Sequence, residues 1–192
     1  MLSPHMLINA YFQGVFPMAE PDGTIYWYDP DPRAIIPLDN FHVPRSLART
    51  IRRGGFEIRV DSDFRAVMTA CAESQPGRET TWINDDIIDS YYALHQLGFA
   101  HSVETWIDGE LVGGLYGVSI RGLFAGESMF SRAVDGSKIA LVYLVEHLRR
   151  RRFVVLDTQF VTEHLRKFGA IEIPRTEYKR KLDKALRAET EF

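Results

Sequence analysis

Glu127 is a carboxylate set in a run from Gly122 to Ser131 whose other members are small or apolar. Burying an unpaired carboxylate is strongly unfavourable, so this one must meet a cation, accept several hydrogen bonds or face a wet cleft. Arg132 and Lys138 follow closely enough for an ordinary structural ion pair, and the local sequence gives that reading equal standing with a functional one. A second polar group favours chemistry. An apolar run from Phe153 ends in Asp157 and Gln159, two residues apart and so on one face of a strand. Ligands gather outside the carboxyl ends of strands in open sheets, and Glu127, Asp157 and Gln159 are expected to converge there as the working centre.

The elements that must hold these residues follow from pattern. Asp108-Gly109 between alternating apolar runs is a hairpin signal, so residues 100–106 and 110–118 read as strands, with 122–130 as the next strand of the meander. Ile139, Leu141, Val142, Leu144, Val145 and Leu148 recur at helical spacing and predict a helix over 137–150. Glu127 should then lie near the end of a central strand, just before a loop and that helix. Upstream, 56–60 reads as a strand, Asp61-Ser62-Asp63 offers N-caps for a helix through Cys71, 75–81 is a polar loop, and 85–97 is a helix closed by Gly98. Downstream of the 153–160 strand come a helix over 162–168, Gly169 at its C′ position, and a short strand at 171–173.

Residues 1–54 differ in composition, with seven prolines between positions 4 and 44 and rings at Tyr11, Phe12, Phe16, Tyr26, Trp27, Tyr28 and Phe41. They are expected to form a small lobe, with 55–192 as the larger domain. The rings read as the lobe's core rather than as a base-stacking platform. Within the lobe, 6–12 reads as a helix stopped by Gly14 to Pro17, and 25–28 as a strand ended by alternating Asp and Pro. Residues 44–53 read as a basic helix stopped by Gly54-Gly55.

The 192 residues are 45% hydrophobic, enough for a proper core. No apolar run is long enough to span a bilayer, and the first ten residues lack the order of a secretory signal, so no membrane association and a cytoplasmic location are expected. A single cysteine excludes an intrachain disulfide and, with six scattered histidines, argues against structural zinc. A net charge of −3 gives no global attraction to nucleic acid, so such binding would need a local basic patch.

The order β-α-α-β-β-β-α-β-α-β resembles the N-acetyltransferase superfamily. The fold class expected is therefore α+β: a small aromatic-rich N-terminal lobe packed on an N-acetyltransferase-like, mostly antiparallel sheet flanked by helices. That superfamily holds CoA pyrophosphate on a glycine-rich loop before the central helix. The matching loop here, 130–138, has one glycine and an acidic residue, so the acyl donor is expected to be something other than CoA.

Seven stretches in order carry a closer likeness: 11–18, 27–33, 81–83, 94–102, 111–117, 124–131, and Asp157-Thr158-Gln159 with 169–175. Together they resemble the leucyl/phenylalanyl-tRNA–protein transferases along nearly the whole chain, with Tyr28 standing where that family often has a second Trp. The resemblance implies transfer of Leu or Phe, with Met as a further donor, from aminoacyl-tRNA to the α-amine of proteins with N-terminal Arg or Lys. The donor is already an ester, so no cofactor and no metal are expected, and the protein is expected to act as a monomer. By the same resemblance Asp157 and Gln159 are the catalytic pair and Glu127 faces the acceptor's cationic end. Leu115, Met129, Leu141, Leu144 and Leu148 line the donor side-chain pocket, with plain core as the bland alternative, and Trp82 and Tyr28 contact the terminal adenosine. For tRNA phosphates the expectation rests on Arg45, Arg49, Arg52 and Arg53. A second cluster, Arg149 to Arg152, ends a helix and is at least as well explained by the helix dipole. Two rival functions share these features: an acyl-CoA-dependent N-acetyltransferase on the same fold, and a non-catalytic tRNA-binding module.

Overall fold

The computed structural model describes residues 2–73 and 81–192, so the expected loop at 75–81 lies almost wholly outside the described residues. Helix α1 (Pro4–Phe12) starts at Ser3, whose hydroxyl accepts from the Met6 amide. After Gly14, the chain makes a two-stranded ribbon of β1 (Phe16–Ala19) and β2 (Ile25–Tyr28), then β3 (Arg33–Ile36) and the basic helix α2 (Arg45–Arg53). There follow β4 (Glu57–Val60), α3 (Phe64–Ala72), α4 (Asp85–Gln96), β5 (Ala100–Ile107), β6 (Glu110–Ile120) and β7 (Leu123–Ser131). Last come α5 (Gly136–Arg150), β8 (Val155–Gln159), α6 (Glu163–Arg166), β9 (Ile171–Ile173) and α7 (Arg175–Leu186).

Seven strands form one sheet in the order β4-β5-β6-β7-β8-β3-β9. Every pairing in it is antiparallel except β7 with β8, the pair joined through α5, so the architecture is the mostly antiparallel α+β one expected. The hairpin at Asp108-Gly109 has both residues at positive φ, 50° and 81°, the geometry a tight two-residue turn demands. One core unites α1, α3 and α4 with Tyr116, Val118 and Ala125 of the sheet. A second buries the apolar stripe of α5 against Val103, Leu115, Phe124 and Leu156, with Leu47 and Ile51 of α2 beside it. Helix α7 packs Tyr178, Leu182 and Ala185 over Ile35, Leu123 and Val155.

Among the strands and α-helices described, three were not expected: β1, β3 and α7. Of these β3 matters most, because it lies inside the sheet between β8 and β9. The stretch 1–54, expected to form a small lobe packed on the larger domain, contributes a strand to the large sheet. Among the described residues no helix is long and apolar enough to cross a membrane.

Candidate active site

The parallel pairing of β7 with β8 is short: Leu123, Phe124 and Ala125 face Val155, Leu156 and Asp157. Beyond that point β7 continues along β6, and β8 is held by β3 on its other side. Between the parting strands opens a pocket of about 300 Å³. Gly126 to Met129 of β7 form one wall and Leu156, Thr158, Gln159 and Phe160 another, with Leu115, Leu141, Leu144 and Leu165 as apolar lining.

Glu127 reaches this pocket through a β-bulge. Tyr116 pairs with Ser128 and Gly117 with Gly126, which leaves Glu127 as the extra residue, re-aimed out of the ladder. The bulge depends on Gly117, where a Cβ would come within 2.4 Å of both the Ala125 carbonyl oxygen and the Phe124 ring. Glu127 therefore lies in mid-strand rather than near the strand's end. The structural ion pair with Arg132 or Lys138 does not form: Arg132 pairs with Glu73 and Lys138 with Asp135, each at 2.6 Å. Instead the Tyr11 hydroxyl donates to Glu127 Oε1 at 2.6 Å, and Gln159 Nε2 donates to the same oxygen at 3.2 Å. The Tyr11 and Tyr91 hydroxyls lie 2.5 Å apart behind it. Crowding by protein pushes the Glu127 carboxyl up to about 8, with the Tyr11 hydrogen bond opposing this and the negative charge of Asp157 adding to it. The side chain as a whole is half-buried, because one side of it faces the pocket.

Asp157 is fully buried and does not line the pocket. Its carboxylate accepts from Arg33 Nε at 3.0 Å, Arg33 Nη2 at 2.6 Å, the Tyr178 hydroxyl at 2.8 Å and the Gln159 amide at 2.9 Å. With these donors around it, the Asp157 carboxylate is held in place rather than left open to an incoming amine. Strand alternation would put Asp157 and Gln159 on one face. Gln159 instead adopts φ 58°, a left-handed backbone that breaks the alternation, and its side chain lines the pocket beside Thr158.

Of the residues expected around the donor, Trp82, Leu115, Met129, Leu141 and Leu144 line the pocket. Leu148, the next turn of α5, does not; it is wholly buried in the α5 core. Tyr28 also lies outside the lining, stacked on the pocket residue Phe16 with ring centroids 5.9 Å apart. Arg45, Arg49, Arg52 and Arg53 are exposed along α2 and are not brought to the pocket wall. The aromatic lobe divides: Tyr11 and Phe16 are core, while Tyr26 and Trp27 are largely exposed.

Sequence reasoning missed several residues here, the Tyr11 and Tyr178 donors among them. Arg33 is one, a cation 1% exposed whose partner lies far along the chain. Phe160 is a half-exposed ring at the pocket with its edge to Phe16 at 5.8 Å. Thr158 and His164 also line the pocket, and burial with nearby Lys138 and Lys167 lowers the His164 pKa. Thr158 and Phe160 lie next to Gln159 and were open to suspicion on that ground alone.

An apolar pouch edged by the Gln159 amide and by a carboxyl that burial raises to about 8 is thus the candidate site. The model of the family described as "Leucyl/phenylalanyl-tRNA protein transferase" matches residues 35–183, and that of the same family's N-terminal domain matches residues 1–31. A leucyl/phenylalanyl-tRNA–protein transferase from Herpetosiphon aurantiacus is 62% identical over 192 residues, covering 100% of this chain and 98% of that protein. Its counterpart from Phenylobacterium zucineum is 57% identical over 188 residues, covering 97% and 85%. The chain belongs to the leucyl/phenylalanyl-tRNA–protein transferase family of aminoacyltransferases. Among solved structures, a ribosomal-protein-alanine N-acetyltransferase from Brucella melitensis biovar Abortus 2308 aligns with TM-score 0.39 and 19% identity over 59% of this chain and 87% of that one. The C-terminal domain of a putative lysylphosphatidylglycerol synthetase from Agrobacterium fabrum aligns with TM-score 0.44 and 13% identity over 98% and 63%.

Proposed function

We propose that the protein moves Leu or Phe, with Met as a third donor, from the 3′ ester of an aminoacyl-tRNA to the α-amine of proteins beginning with Arg or Lys. The product carries a new N-terminal residue that marks it for degradation. The observation that carries this reading is the pocket itself, where an apolar pouch for the donor side chain lies against Gln159 and Glu127. With the side chain seated among Leu115, Met129, Leu141 and Leu144, the ester would lie toward that polar edge. The acceptor amine, in its neutral form, attacks the ester carbon. The tetrahedral intermediate then expels the ribose oxygen, which leaves with a proton, and the amide remains. Gln159 Nε2 is a donor within reach of the edge where the oxyanion would form, and removing such a donor typically costs about 10²–10³ in rate. Glu127, raised to about 8 by burial, has two uses: the arriving cationic end of the acceptor favours its ionised form and pairs with it, and it can exchange a proton with the attacking amine. The working unit in this reading is a cytoplasmic monomer.

The acyl-CoA alternative is weaker on charge. At the N-terminus of α5, where a pyrophosphate would rest, the Asp135 carboxylate is held by Lys138 at 2.6 Å and by the Thr50 hydroxyl at 3.4 Å. A like charge there repels a pyrophosphate. The deciding experiment offers purified protein radiolabelled Leu-, Phe- and Met-tRNA with a peptide beginning in Arg, alongside an acetyl-CoA titration. Label passing to the peptide is expected; no label on the peptide, or acetylation instead, would overturn the reading.

A further inference from the structure

We infer that Arg33 is a positioning residue of the transfer site, acting through Asp157 to hold Gln159 at the pocket. Arg33 lies on β3, and its guanidinium is sandwiched between the Phe16 ring at 4.8 Å and the Tyr178 ring at 4.3 Å. Its fork donates in bidentate fashion to Asp157, and its remaining Nη1 donates to the Gly14 carbonyl at 2.7 Å. One cation thus ties together the turn after α1, strand β8 and helix α7. A bidentate arginine fixes a carboxylate in plane and rotation, which a lysine with a single point of contact does not. Asp157, so fixed, accepts from the Gln159 backbone N–H at 2.9 Å, and that bond holds the left-handed backbone from which the Gln159 side-chain Nε2 reaches Glu127. A non-glycine residue in that region persists only when its surroundings over-determine it. Arg33 and Tyr178 supply that determination from behind the pocket, without touching what the pocket holds.

The inference rests on the transfer function proposed above, and its test carries readouts that do not. Arg33→Lys keeps the charge and loses the fork. It is expected to lower kcat for transfer by about 10–100-fold, less than the roughly 10²–10³ that removing the Gln159 donor outright would cost, while KM for aminoacyl-tRNA stays within twofold. Tyr178→Phe, which removes one donor to Asp157 and keeps the ring over Arg33, should lower kcat by a smaller factor in the same pattern. In an Asp157→Asn background Arg33→Lys should add little, because both act along one chain of contacts. Arg33→Met leaves Asp157 uncompensated beside Glu127. The groups facing Glu127 are Tyr11 of α1, Tyr91 of α4, Arg33 of β3, Asp157 and Gln159 of β8 and, across the pocket, His164 of α6. Only Arg33 among them opposes the negative charge of Asp157, so the rate profile governed by Glu127 should shift to higher pH. Independently of turnover, the Gln159 side-chain amide resonances should move in Arg33→Lys and in Tyr178→Phe. Unmoved resonances, an unchanged kcat in Arg33→Lys, or losses that multiply with Asp157→Asn would each overturn the assignment. Inactive wild-type protein with shifted Gln159 resonances would refute the proposed function and leave the positioning role standing.

Discussion

Glu127 holds its proton to about pH 8 in the folded chain, well above an ordinary glutamate near 4.3 in the unfolded one. Between those values the native state binds more protons than the unfolded state, so stability falls as pH rises through this window and the loss is complete above the folded pKa. In thermal melts from pH 5 to 9, the wild type should lose about 1 kcal/mol or more, roughly 2–4 °C for a chain of this size, relative to Glu127→Gln. Parallel curves for the two proteins would show that Glu127 titrates normally. That residue was legible in the sequence because a charge in an apolar run needs a reason. Arg33 closes one of the stretches that carry the family likeness, but its role was not legible, since its partner lies 124 positions away. The split between Asp157 and Gln159 was equally hidden: alternation assumes extended backbone, and one left-handed residue is enough to break it. Leu148 was assigned to the pocket through the family resemblance, with plain core as the alternative, and one turn beyond Leu144 the core reading is the one that holds.

The same hidden geometry recurs among the elements. The meander, the long helix α5 and the Asp108-Gly109 turn were read correctly because their signals are local and repeat over many residues. Strand β3 offers four residues, all buried, wedged between prolines and paired with β8 and β9 far downstream, so no local period announces it. Helix α7 did carry a signal, with Tyr178, Leu182 and Ala185 spaced along one face, but the pattern is sparse among charges. The glycines of β6 carry meaning that only packing reveals. At Gly113 a Cβ would lie 2.4 Å from the Gly136 carbonyl carbon, so α5 begins directly on the strand, and at Gly117 it would break the bulge. Gly117→Ala should cost about 1–3 kcal/mol in urea denaturation, typical of overpacking. Because the bulge aims Glu127, its kcat should fall further than the folded fraction does. A variant that is less stable yet fully active per folded molecule would separate the bulge from function.

Across the whole molecule a slightly acidic chain must hold a polyanionic donor, which requires its cations to be grouped. Helix α2 carries Arg45, Arg49, Arg52 and Arg53, all exposed, on a body anchored to α5 by Leu47 and Ile51. Phosphate contacts are salt-sensitive and blind to sequence, so losing one should reduce the salt slope by roughly one unit. Arg49→Ala with Arg52→Ala should raise KM for aminoacyl-tRNA severalfold and spare an adenosine-aminoacyl analogue that lacks a stem. Equal loss with both donors would place these arginines in the support of the fold instead. The position of β3 bears on how the chain is made. The strand leaves the ribosome early, but both of its sheet neighbours, β8 and β9, follow well over a hundred residues later. At typical synthesis rates of about 5–20 residues per second, the N-terminal segment waits several seconds or more with a strand's worth of open hydrogen-bonding groups. The sheet is completed only when the last quarter of the chain arrives and clasps the first, so the nascent protein passes through a stage in which Arg33 has no Asp157 to meet.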